Sequence, residues 1–178
     1  MNYSVESRLS VATALAQSLL KLGWTVALAE SCTGGLVCAT LTELAGSSTW
    51  FERGYITYSN LAKSECLGVP PETIDSFGAV SEPVAKAMAE GVQAHAHVNV
   101  GVSITGIAGP TGGSVEKPVG TVCFGWMIKT EEVSVGNCIT KTMHFTGDRQ
   151  AIREQACYYA LSELLALTQT KHSNVNSA

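Results

Sequence analysis

The chain has 178 residues, enough for one domain with a sizeable core. Apolar residues make up 46 %, charged residues 15 %, and the net charge is −4, so the eleven scattered Lys and Arg residues supply no basic face and nucleic acid is excluded as a partner. No apolar run reaches membrane-spanning length, residues 1–6 lack a signal-peptide pattern, and the six cysteines form no C-x-x-C pair; together these read as reduced, buried thiols in a cytoplasmic protein with no membrane partner.

In chain order, Val5, Leu9, Ala12, Leu15, Ala16, Leu19 and Leu20 recur at helical spacing and predict an amphipathic helix over 4–22, stopped by Gly23. Residues 24–29 read as a strand and 35–44 as a second helix. Residues 51–58 read as a strand broken at Gly54. Ser59 or Asn60 caps a short helix through Leu67, and Pro70-Pro71 opens another. Ser81-Glu82-Pro83 is a strong helix start, with the helix reaching His95. Residues 98–105 form an apolar strand. Residues 119–128 and 133–145 predict an antiparallel hairpin, and 148–167 a closing helix capped by Asp148. The expected fold is a single-domain, three-layer α/β/α sandwich with a mixed sheet over residues 1–167; 168–178 is expected to be a polar, disordered tail.

Three loops follow predicted strands, and ligands in open α/β sheets sit at such strand ends. The first is Ser31-Cys32-Thr33-Gly34-Gly35, between a strand and a helix, where backbone N–H groups point at whatever lies in front. Ser31 there suits an anion ligand, a helix cap or a nucleophile. If it is spared for chemistry, Thr33 is left as the cap. Cys32 is a rival nucleophile, set against a reading as a small buried residue. The second loop holds Tyr58, Asn60 and Lys63. A lysine acts as a base only when neutral, which takes about 4 kcal/mol of destabilisation of its charged form. On spacing alone a surface lysine competes with that role, as a packed aromatic does for Tyr58. The third loop, 105–114, contains Thr105, Gly106, Gly109 and Gly112 but neither P-loop nor dinucleotide spacing, so it also reads as a plain turn. Arg149 and Arg153 oppose the dipole at the start of the last helix, which suits an anion facing them or a solvated face. No group of His, Cys or acidic residues has metal-ligand spacing, and no cofactor is implied.

Six ordered stretches carry a family resemblance: 29–35, 45–48, 54–63, 78–82, 105–110 and 117–121. Together they resemble the CinA C-terminal family across roughly residues 8–167, without the additional N-terminal domain of its two-domain members. Stand-alone members look like nicotinamide-nucleotide amidases. The resemblance implies hydrolysis of the carboxamide of nicotinamide mononucleotide to nicotinate mononucleotide and ammonia, a step in pyridine-nucleotide recycling towards NAD. It implies Ser31 as nucleophile, Lys63 as base and Tyr58 as a partner in proton transfer. The substrate, a small nucleotide, would be met by Cys32, Thr33, Gly34, Gly35, Asn60, Thr105, Gly106, Gly109, Gly112 and Arg149. N–H groups near Cys32 to Gly34 would hold the oxyanion, and the Gly-rich loop would hold the phosphate. A homodimer is also expected. The alternatives are a non-catalytic nucleotide- or partner-binding module of the same fold and an amidase for another phosphorylated amide. The complete Ser31, Tyr58 and Lys63 set argues against the first.

Overall fold

The computed structural model describes residues 3–130 and 133–175, with backbone alone at 130, 133–136 and 171–175. Five strands form one sheet in the order β2-β1-β3-β4-β5: β1 Val26–Glu30, β2 Phe51–Ile56, β3 Val100–Gly106, β4 Thr121–Thr130 and β5 Val133–His144. β1 runs parallel to β2 and β3, while β3–β4 and β4–β5 are antiparallel, so the sheet is mixed.

Strand alternation sorts the side chains into two cores. Val26 and Leu28 of β1, Val100, Val102 and Ile104 of β3, and Phe124 and Trp126 of β4 share one core with α1 (Val5–Leu22), α2 (Leu36–Thr42) and α6 (Arg149–Val175). Ala27 and Ala29 face the other side, against α3 (Asn60–Leu67), α4 (Pro71–Phe77) and α5 (Glu82–Ala96). The result is the expected α/β/α sandwich in a single domain. Leu15 and Leu19 of α1 are fully buried, and truncating either to alanine costs about 2–5 kcal/mol.

Helix signals in the sequence correspond to bonds. Ser4 accepts from Ser7 N–H, Ser59 from Ala62 N–H, Ser81 from Val84 N–H and Asp148 from Ala151 N–H. Three expectations are corrected. β2 runs through Gly54 without a break; its irregularity lies one step earlier, where Val26 and Ala27 pair with Phe51 and Arg53 and skip Glu52. α6 continues past Leu167 to Val175, because a polar sequence still carries helix once its register is set by the buried turns before it; residues 176–178 lie outside those described. Thr33 does not cap α2. That helix starts from Gly35 at φ +94°, a conformation open to glycine, without any side-chain cap from Gly35 itself. The cap comes instead from Glu30, a residue the sequence reading left without a role.

Candidate active site

The C-terminal ends of the parallel strands β1, β2 and β3 converge, and alternation decides what each side chain meets. Glu30 follows Leu28 onto the α2 side. Ser31, one residue later, turns to the α3 side. The Ser31 N–H donates to Ile104 O at 2.9 Å, which fixes the end of β1 against β3. Its hydroxyl accepts from Lys63 Nζ at 3.3 Å.

Lys63 sits in the first turn of α3, which Ser59 caps, and is 1 % exposed. Its Nζ also donates to Thr57 O at 3.0 Å. Burial, opposed by the Cys32 thiol, pushes its pKa below the ordinary lysine range. The surface reading of Lys63 is thereby overturned. A neutral amine with one hydrogen on Thr57 O has a lone pair free for the Ser31 proton.

A cavity of about 270 Å³ opens in front of this pair. Of the expected residues it is lined by Ser31, Cys32, Tyr58, Asn60, Lys63, Thr105, Gly106, Gly109, Gly112 and Arg149. Thr33, Gly34 and Gly35 do not line it. Thr33 is fully buried, the Gly34 N–H is bonded to Ser31 O, and the Gly35 N–H to Glu30. Among the described residues, the N–H groups of Cys32 and Thr33 donate to no backbone oxygen. Ala79, Val80 and Ile107 add apolar wall that the sequence reading missed. Thr105 Oγ1 donates to Ala79 O at 2.8 Å and Lys117 Nζ to Phe77 O at 2.7 Å, which tie this wall to the Gly-rich loop. Ala79 of the 78–82 stretch and Lys117 of the 117–121 stretch each supply one end of these bonds.

Arg149 reaches the cavity from α6. Its guanidinium donates to Gly109 O and to the Tyr58 hydroxyl, both at 2.8 Å. Tyr58 is therefore held by Arg149 rather than by Ser31 or Lys63. Gly109 sits at φ +77°, where a Cβ would press on Val119 Cγ1 at 2.6 Å, so the turn is open to glycine there. Arg153, one helical turn on, turns inward instead and donates to Thr33 O at 2.7 Å.

Burial, with the charge of Glu30 adding to it, pushes the Cys32 thiol up to about 12. A thiol so protonated is a poor nucleophile. Cys32→Ala is expected to keep kcat for the amide hydrolysis that the family resemblance implies within about threefold of the parent, measured as ammonia release. All six cysteines are free thiols. Among the described residues no group of three or more His, Cys, Asp or Glu side chains could hold a metal ion, and no helix is long and apolar enough to cross a membrane.

Comparison with known proteins agrees in extent with this architecture. The profile described as "CinA C-terminal domain" matches residues 8–168. The nicotinamide-nucleotide amidohydrolase PncC of Escherichia coli strain K12 is 53 % identical over 148 residues, covering 83 % of this chain and 87 % of that protein. A CinA-like protein of Leptospira biflexa is 51 % identical over 145 residues, 82 % of this chain but 34 % of its own length. The crystal structure of the competence/damage inducible protein CihA from Agrobacterium tumefaciens superposes with a TM-score of 0.85 at 42 % identity, covering 90 % of this chain and 95 % of the other.

Proposed function

The chain belongs to the CinA C-terminal domain family, and from that premise we propose that it is a nicotinamide-nucleotide amidohydrolase working through a serine acyl-enzyme, with residues 1–167 as its catalytic domain. The name of the Escherichia coli relative supports the substrate, the carboxamide of nicotinamide mononucleotide. The observation that carries the mechanism is the buried Lys63 amine, 3.3 Å from Ser31 Oγ and anchored on Thr57 O.

Lys63, neutral, takes the Ser31 proton as Oγ bonds to the carboxamide carbon. The oxyanion forms against the N–H of Cys32, which lines the cavity and donates to no backbone oxygen among the described residues; one such donor is worth roughly 3 kcal/mol. The lysinium then gives its proton to the departing nitrogen, the C–N bond breaks and ammonia leaves. Water, deprotonated by the same amine, attacks the ester; the lysinium returns that proton to the departing Ser31 Oγ, which releases nicotinate mononucleotide and restores Ser31 and the neutral amine. General acid–base help of this kind contributes about 10²–10⁴-fold. Tyr58 lines the cavity with its hydroxyl on Arg149, which supports a part in orienting substrate through that arginine.

Arg149 is the cation of the cavity apart from Lys63, and two of its donors already fix it against the Gly109 carbonyl and Tyr58. The remaining donors suit the 5′-phosphate, laid along the Gly-rich loop. The phosphate supplies binding energy remote from the reacting bond. Ammonia release is expected from nicotinamide mononucleotide and to be far weaker from nicotinamide riboside. Arg149→Gln is expected to raise KM for the nucleotide by about 10–100-fold and to narrow the preference for nucleotide over riboside. Equal turnover of nucleotide and riboside by the parent protein would remove phosphate recognition from this account. Tight nucleotide binding without ammonia release would make the chain a binding module. The assembly we assign is a cytoplasmic homodimer; Ile56 and Leu61, exposed near the cavity, supply apolar surface for one.

A further inference from the structure

We infer that Glu30 is a positioning residue for acyl transfer at Ser31: its buried carboxylate holds the Ser31–Gly35 turn from behind and keeps the Cys32 N–H in place for the oxyanion. This rests on the acyl-enzyme reading above.

Glu30 ends β1 on the face where Val26 and Leu28 are core, and it is 0 % exposed. A carboxylate at an apolar position, with no cation paired to it among the described residues, costs several kcal/mol to bury unless hydrogen bonds compensate. Three backbone donors do so. Gly35 N–H and Val37 N–H reach Oε2 at 2.9 and 3.2 Å, and Cys38 N–H reaches Oε1 at 2.7 Å. All three partners are donors, so every bond requires an acceptor oxygen.

These bonds determine which N–H groups of the turn remain for chemistry. Glu30 takes those of Gly35, Val37 and Cys38. Gly34 N–H closes on Ser31 O at 3.1 Å. The N–H groups of Cys32 and Thr33 are left, and of these residues only Cys32, directly after the nucleophile, lines the cavity. From the far side Arg153 holds Thr33 O at 2.7 Å. Arg153 thus holds the Thr33–Gly34 peptide unit and Glu30 the Gly34–Gly35 unit that follows it, and neither charged group lines the cavity. Glu30 also holds, through its own carbonyl, the N–H of Thr57 at 2.9 Å, and Thr57 O anchors the Lys63 amine. One residue therefore ties the nucleophile's turn by its side chain and the base's anchor by its backbone.

The charge of Glu30 opposes an oxyanion forming nearby, so charge and geometry make opposite predictions for Glu30→Gln. If geometry governs, the amide NH2 confronts one of the three N–H donors, the turn shifts and the rate falls. If charge governs, the rate rises. The test measures kcat and KM for nicotinamide mononucleotide, melting temperature, and the rate at which a fluorophosphonate labels Ser31, in the parent, Glu30→Gln and Glu30→Asp. Glu30→Asp keeps the charge on an arm one methylene shorter. Expected are folded variants with kcat down about 10²-fold, KM within about threefold, and labelling slowed in parallel. In the parent protein, amide exchange should be protected at Gly35, Val37 and Cys38.

An unchanged or raised kcat in either folded variant overturns the inference, as does a fall in melting temperature with kcat and labelling intact. Unprotected amides at those three positions in the parent overturn it independently of any variant. A parent protein that Ser31 labelling detects but that releases no ammonia would defeat the proposed substrate, while the labelling comparison would still decide the role of Glu30.

Discussion

Ser31→Ala is expected to lower ammonia release from nicotinamide mononucleotide by about 10⁴-fold or more, with KM little changed and the fold intact. The substitution deletes one oxygen. The bonds that shape the turn, Ser31 N–H to Ile104 O and Gly34 N–H to Ser31 O, are made by the backbone and survive it. Glu30 still caps α2. A shift in melting temperature beyond about 2–4 °C is therefore not expected. What disappears is the atom that the lysine amine faces at 3.3 Å. Acid quench of the parent protein during turnover should trap a nicotinoyl nucleotide ester on the peptide containing Ser31, and the variant should trap none. Activity retained in Ser31→Ala would transfer the attack to a water activated by Lys63. Cys32 could not inherit it readily, because burial holds its thiol protonated up to about 12.

The layers of the fold were legible because their causes are local. Ser4, Ser59, Ser81 and Asp148 announce helix starts by chemistry that needs no tertiary partner, and alternating apolar residues announce which strand face is core. The Ser31, Tyr58, Lys63 and Arg149 set was legible as residues, but geometry within it was not. Sequence spacing separates Ser31 from Lys63 by 32 positions, and only the parallel pairing of β1 with β2 brings the start of α3 under the end of β1. The burial that lowers the lysine pKa is likewise a property of the packed layers. Glu30 shows the limit most plainly. The sequence pattern ends the strand at Ala29 and leaves Glu30 outside it, although β1 runs to Glu30 with the same parity as Val26 and Leu28. Its three backbone partners, Gly35, Val37 and Cys38, exist only once the turn has closed. With Ser31 spared for chemistry, residue preference points to Thr33 as the cap; its hydroxyl is buried without a partner, and the carboxylate takes the N–H donors at the start of α2. Preference scales rank single residues, and here the competitor came from the preceding strand.

Replacing Lys63 by methionine is expected to separate activity from stability with opposite signs. The parent kcat/KM should rise about tenfold per pH unit on its acid limb and level off above the Lys63 pKa, which burial sets below the ordinary lysine range. Protonated Lys63 has no lone pair for the Ser31 proton, so the acid form is inactive. Lys63→Met should lose about 10³-fold in kcat, and its residual rate should lack that limb. Its stability should move the other way. Methionine has nearly the same length and fills the same buried space with no ammonium to desolvate. At neutral pH the parent protein bears that desolvation cost and the variant does not, so the variant should melt higher. The difference should shrink as pH rises. Between the lowered folded pKa and the unfolded value of about 10.4, the unfolded chain binds the extra proton, so parent stability increases with pH through that window. An acid limb that persists unchanged in Lys63→Met would assign the titrating base elsewhere. A variant that melts lower than the parent at neutral pH would mean that the bond to Thr57 O, which methionine cannot make, outweighs the cost of burying the amine.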